Sequence, residues 1–321
     1  MSSRRRPAWA TLPARIRAAV EALAGGPVVR ADGCPDGFSP GFAARLTLAD
    51  GRRRFVKAVD ADAWPHEVGA YRTEAEVAAA LPGAVPAPRL LGVYDDGHWC
   101  ALAFEDVDGA SPGRPWTSHD LRRVLDAAAG LARVPAPAGL PARHPRLGGW
   151  AGLAADPARV AALRRHAPWA ARDLPRLVAL ERDGLAAARG DTLVHGDLYP
   201  HNILLTADRV VFVDWPHARR GSPLIDLVTI LSSAAAENGN SAGRIEPEQF
   251  APRGRAVTAV LAAHAGFLLA GGLAPPYRGL EAITDAKLHL GLGALRWLRD
   301  RLGVEVSAGA PGGPVPEPRR R

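Results

Sequence analysis

The chain has 321 residues, 47% of them hydrophobic, only two cysteines and a formal net charge of +7. That length supports a sizeable core and about two lobes, and that apolar content sets aside a disordered chain. The positive balance does not amount to a nucleic-acid surface, because part of it sits in Arg4 to Arg6 and Arg319 to Arg321 and no basic stripe interleaved with aromatics runs through the body.

The basic start is followed by Pro7, Thr11, Pro13 and Arg15, which break any apolar export segment. Cys34 and Cys100 are far apart without a C-x-x-C pattern, and Cys100 lies in an apolar run. A buried thiol and a reducing, cytoplasmic setting are expected.

Residues 1–36 are expected to hold one amphipathic helix, since Leu12, Ile16, Val20 and Leu23 recur at helical spacing. A Gly/Ser turn at 36–41, with Ser39 and Gly41, then feeds a strand at 42–48. After a tight turn at Ala49-Asp50-Gly51, a second strand covers 54–59 and carries Lys57. The chain has only two lysines, Lys57 and Lys287, and writes arginine for nearly all other positive charge. A lysine inside an apolar strand therefore reads as a required compact charge. The turn through Ser39 and Gly41 stands where its backbone amides could cover phosphates, although no Walker motif occurs.

A helix follows at 66–81 with Glu67, Glu74 and Glu76; Glu67 and Glu74 are seven apart and share a face. Strands at 90–94 and 99–104 form a hairpin around Asp95-Asp96-Gly97, and the second runs into Glu105-Asp106-Val107. From Thr117 onward the pattern is helical, interrupted by proline-rich loops at 135–137 and 141–145. The run at 256–273 is the longest apolar stretch, but His264, Gly266, Gly271 and Gly272 make it a core helix rather than a membrane span. Another helix is expected at 283–302, and the tail beyond 307 reads as disordered.

The most specific stretch is His195-Gly196-Asp197-Leu198-Tyr199-Pro200-His201-Asn202, followed by Val211-Phe212-Val213-Asp214-Trp215. A strand at 202–205, a turn at 206–209 and a returning strand at 210–213 would bring Asp214 back beside Asn202. Asp197, Asn202 and Asp214 then converge on one metal-sized volume. Phosphoryl transfer needs such a set, a carboxylate for the acceptor hydroxyl and two oxygen ligands for Mg²⁺. Against this stands an ordinary hairpin with polar turn residues.

These motifs resemble those of the aminoglycoside phosphotransferase and choline kinase-like small-molecule kinases. The resemblance implies an α/β (α+β) class and a two-lobe protein kinase-like fold. Residues 1–104 would form the sheet lobe, 105–109 the linker, 110–306 the helical lobe and 307–321 a tail. It further implies Asp197 as catalytic base, Asn202 and Asp214 as Mg²⁺ ligands, and His195 and Asp226 as supports of the loop. Lys57 would hold ATP phosphates with Glu74 as its partner and Glu67 as rival. Ser39 and Gly41 would cover the phosphates, and Glu105 and Val107 would meet adenine through their backbone. The implied cofactors are ATP and Mg²⁺, and the implied partner is a small-molecule hydroxyl acceptor, with no nucleic acid and no membrane. A nucleotide-binding pseudokinase and a protein Ser/Thr kinase are the alternatives. Arg296, Arg299 and Arg301 in the last helix put a polycationic acceptor in doubt, with Glu237, Glu246 and Glu248 the few acidic candidates. Oligomeric state is not legible.

Overall fold

The computed structural model describes residues 6–34, 40–140, 145–238, 254–275 and 281–303. Ser39, Glu246, Glu248 and the 307–321 tail lie outside the described residues.

The first third of the chain builds one five-stranded antiparallel sheet. Its strands are β1 (Val28–Gly33), β2 (Phe42–Leu48), β3 (Arg53–Asp60), β4 (Leu90–Asp95) and β5 (Trp99–Glu105), in the order β1-β2-β3-β5-β4. Side chains alternate across a strand, so each inner strand serves two faces. Val56 and Ala58 of β3, with Ala101 and Ala103 of β5, pack under helix α1 (Ala14–Ala24) through Ile16 and Val20. Val59 of β3, with Cys100, Leu102 and Phe104 of β5, faces the opposite way against Val68 and Tyr71 of helix α2 (Val68–Ala80). Cys100 is fully buried there, and burial pushes its thiol up to about 11.

The amphipathic helix expected within residues 1–36 is α1, and strand β1 follows it without having been expected. Val28 to Gly33 lies half-exposed on the sheet edge, with Arg30 and Asp32 paired to each other at 2.9 Å. Its sequence has little apolar alternation, and pairing with β2 makes it a strand.

The rest is mainly helical. After α3 (Ser118–Leu131), capped by Thr117 accepting from the Asp120 N–H, come α4 (Trp150–Ala154), α5 (Pro157–His166), α6 (Pro168–Arg172) and α7 (Leu174–Ala187). The last three helices are α8 (Leu224–Asn238), α9 (Gly254–Gly272) and α10 (Glu281–Leu302). By length and composition α9 could cross a membrane, but 61% of its apolar window is buried inside the fold. It is a core helix, joining the buried cluster that includes Trp150, Leu177, Leu231 and Leu295.

Two small sheets lie between α7 and α8. Strands β6 (Thr192–Val194) and β9 (Arg219–Gly221) pair antiparallel, a ladder without a sequence signal because Arg219-Arg220-Gly221 has no strand propensity. Strands β7 (Ile203–Leu205) and β8 (Val210–Phe212) form the expected hairpin, with Ile203 opposite Phe212 and Leu205 opposite Val210. Pro200–Asn202 is a single helical turn rather than strand, so the predicted first strand starts one residue late. The chain after β5 joins here too, as Ala110 and Leu205 exchange backbone bonds of 3.1 and 2.8 Å.

Candidate active site

Between the sheet and the helices lies a cleft of about 950 Å³, a volume suited to small-molecule ligands. Lys57, Glu67, Glu74, Glu105, Val107, Asp197, Asn202 and Asp214 all line it.

Lys57 reaches the cleft because it alternates with Val56 and Ala58, which face α1, and so projects from the α2 side of β3. There it is ion-paired with Glu74, and its Nζ donates to Asp214 Oδ1 at 2.8 Å. Glu67 lies at the N-terminal end of α2 and lines the cleft without reaching the ammonium. Burial penalises the Lys57 charge, but Asp214 and Glu74 outweigh it and hold the ammonium above its ordinary range. Burial pushes the Glu74 carboxyl up to about 7, against the pull of Lys57.

The His195–Asn202 motif is fixed from below by side chains and backbone together. Gly196 has φ +80, and a Cβ there would stand 2.7 Å from the His217 carbonyl oxygen, so the turn needs glycine. Asp226, near the start of α8, is buried and accepts from the His195 and Gly196 N–H groups at 2.8 Å each. Burial raises its carboxyl to about 6, opposed by those two bonds. His195 is fully buried, and burial lowers it to about 4. The neutral ring donates from Nε2 to the Val213 carbonyl at 3.0 Å, tying this loop to the strand that ends in Asp214.

Above that floor the three candidate residues meet. Asn202 Nδ2 donates to Asp197 Oδ2 at 3.0 Å and to the Asp197 carbonyl at 2.8 Å. The Val213 N–H bonds the Asn202 carbonyl at 3.0 Å, which brings Asp214 to the same place. Asp214 adopts φ +66, a left-handed conformation that costs a non-glycine residue about 1 kcal/mol or more. Its carboxylate remains 43% exposed toward the cleft. Desolvation works to raise it, but Lys57 outweighs that and holds it down at about 2.

The donor set fits a small divalent cation. Asn202 spends its amide nitrogen on Asp197 and keeps Oδ1 without a protein donor among the described residues. Asp214 spends Oδ1 on Lys57 and keeps Oδ2. Two side-chain oxygens, completed by phosphate and water, are what Mg²⁺ takes from a protein.

The segment after β5 is held more firmly than its charges suggest. Asp106 is ion-paired with Arg45 at 3.2 Å and Arg53 at 2.7 Å. Arg45 Nη2 also donates to the Val107 carbonyl at 3.0 Å. The Val107 N–H has no acceptor among the described residues. Gly41 is buried against Tyr71 and Ala58, so close that a Cβ would stand 2.4 Å from the Tyr71 hydroxyl, and it does not line the cleft.

Arg146 was not foreseen. It comes from the segment before α4 and is ion-paired with Asp197, with its guanidinium 5.7 Å from the Phe267 ring centroid. Lys287, from α10, places its Nζ 5.1 Å from the same centroid. An arginine among so many gives no sequence signal, but the rarity of lysine that marks Lys57 marks Lys287 equally.

A model of the phosphotransferase enzyme family (APH) matches residues 33–266, more than half of the chain. Over 40 residues the chain is 45% identical to Protein LicA of Haemophilus influenzae, a match spanning 12% of this chain and 15% of LicA. Among solved structures it is similar to a thermostable mutant of aminoglycoside phosphotransferase APH(4)-Ia in ternary complex with AMP-PNP and hygromycin B. That likeness has a TM-score of 0.58 at 15% identity over 91% of this chain and 100% of the other. Choline kinase LicA from Streptococcus pneumoniae is similar with a TM-score of 0.55 at 13% identity, over 89% of this chain and 98% of that one. A choline/ethanolamine kinase family protein from Mesorhizobium loti gives 0.54 at 19% identity, with the same two coverages. At these identities the likeness is one of fold, the two-lobe kinase-like architecture.

Proposed function

Because the chain belongs to the phosphotransferase enzyme family, we propose that it moves the γ-phosphoryl group of Mg-ATP to a hydroxyl of a small molecule. The observation that carries this reading is the meeting of Lys57, Asp197, Asn202 and Asp214 at one cleft from three separate segments of chain.

In this reading Lys57, kept cationic by Glu74 and Asp214, holds the nucleotide phosphates. Glu105 and the unengaged Val107 N–H stand where the adenine edge would lie, at the 105–109 junction between the lobes. Asn202 and Asp214 would hold Mg²⁺, which supplies positive charge to offset the phosphate oxygens. Asp197 orients the acceptor hydroxyl and takes its proton as the new O–P bond forms. The bond to the bridging oxygen breaks, and ADP leaves. His195 and Asp226 touch neither reactant; they position the loop.

The test is ADP release with Mg-ATP against a panel of hydroxylated small molecules, run beside Asp197→Ala. Acceptor-dependent release that falls by about two decades or more in the variant is expected. Turnover that survives the substitution unchanged removes Asp197 from the chemistry.

A further inference from the structure

The acceptor side of the cleft is built from α9 and α10, which contribute Phe267, Leu268, Ile283, Ala286, Lys287 and Leu290. None of these is acidic. The carboxylates that line the cleft away from the Asp197–Asp214 center, such as Glu67 and Glu105, belong to the sheet, α2 and the linker. Arg146 and Lys287 meet at the Phe267 ring, 5.7 and 5.1 Å from its centroid. Arg146 has Asp197 as partner, whereas Lys287 has no carboxylate within ion-pair distance among the described residues. Burial, with Arg146 adding to it, lowers Lys287 below its ordinary value.

Two cations on one ring with a single carboxylate between them leave an uncompensated positive charge in a partly desolvated place. Such an arrangement is costly unless an anion arrives to share it. Its construction is specific. A Cβ on Gly271 would stand 2.8 Å from Lys287 Cδ and 3.1 Å from Nζ, so glycine makes room for the lysine stem. Both lysines of this arginine-writing chain line the same cleft, Lys57 on the sheet side and Lys287 on the helical side.

We infer that the acceptor is an anionic hydroxyl compound, with an apolar body against Phe267 and Leu290 and a carboxylate-like group between Arg146 and Lys287. The inference rests on the kinase reading above and deepens it. The incoming anion also competes with Asp197 for Arg146, so that acceptor binding frees the Asp197 carboxylate to receive the hydroxyl proton. A polycationic acceptor would meet two like charges at the same place.

The test uses three probes that share one hydroxyl and one alkyl chain: ω-hydroxyoctanoate, its neutral amide and the corresponding amino alcohol. Each is titrated calorimetrically into the protein saturated with Mg-AMP-PNP. The carboxylate should bind at least about tenfold tighter than the amide, and the ammonium most weakly of the three. Lys287→Glu should reverse that order while AMP-PNP affinity stays within about twofold. Thermal unfolding of Lys287→Ala and Lys287→Glu shows whether both variants remain folded. Equal binding of the three probes, preference for the ammonium, or no binding of the carboxylate overturns the inference. So does a Lys287→Glu effect confined to nucleotide affinity, which would place this lysine on the phosphates instead. Failure of Mg-AMP-PNP itself to bind is a separate result, and it strikes the kinase reading rather than the charge of the acceptor.

Discussion

Lys57 Nζ and Asp214 Oδ1 lie 2.8 Å apart although 157 positions separate them in the chain, and Glu74 shares the same ammonium. The Glu74 side chain is only 4% exposed. Removing the lysine therefore leaves a buried carboxylate without its cation, a loss of about 3 kcal/mol or more. Lys57→Met should lower the melting temperature and reduce kcat/KM by about two decades or more. Lys57→Met with Glu74→Leu should recover the melting temperature and none of the activity. Recovery of both would mean that the pair serves stability alone.

Asp226 offers one carboxylate oxygen to each of two N–H groups, those of His195 and Gly196. Asp226→Asn keeps one acceptor and sets an N–H against the other donor. That substitution should cost about 1–3 kcal/mol in chemical denaturation. It should lower kcat with little change in KM for ATP, because the loop bearing Asp197 shifts while Lys57 does not. An effect on KM alone would argue against a positioning role.

Much of this was legible in the sequence, for physical reasons. The β7–β8 hairpin and the Lys57 strand announce themselves through local alternation, and α1 and α2 through helical spacing. Strand β1 and the β6–β9 ladder do not, since their residues become strands only by pairing with distant ones. The doubt about a polycationic acceptor rested on Arg296, Arg299 and Arg301. The structure turns Arg296 to the Ala236 carbonyl and Arg301 to Thr258 and the Gly254 carbonyl, in contacts between helices. The cations beside the Phe267 ring in the cleft are instead Arg146 and Lys287. Where a side chain ends up across the fold is a long-range fact that spacing along the chain does not carry.

Buried imidazoles and buried carboxyls act on stability with opposite signs as pH changes. Burial holds His195 and His264 near 4, against an ordinary value of 6.5. Across that interval the unfolded chain binds protons that the fold excludes, so their contribution to stability falls as pH falls from about 6.5 toward about 4. Asp226 has the opposite sign. Its carboxyl is raised from 3.8 to about 6, so the fold keeps a proton there that the unfolded chain has released. Glu74, pushed up to about 7, has the same sign as Asp226, so two carboxyls offset the imidazoles between about pH 7 and about pH 5 and the melting temperature of the unmodified protein should change little there. His264→Leu removes a ring whose Nε2 has no partner among the described residues, so the variant should gain stability relative to the unmodified protein as pH falls across that interval. Parallel pH profiles for the two proteins would mean that His264 is protonated in the fold or does not titrate in this range.

The central claim is that this cleft holds a metal-bound nucleotide between Lys57, Asn202 and Asp214. Its most direct test is calorimetric titration of AMP-PNP with and without Mg²⁺, for the unmodified protein and for Asp214→Ala. The account predicts that Mg²⁺ tightens binding by about tenfold or more, and that Asp214→Ala removes most of that dependence. Equal affinity with and without the metal, or a metal effect untouched by the substitution, would contradict it.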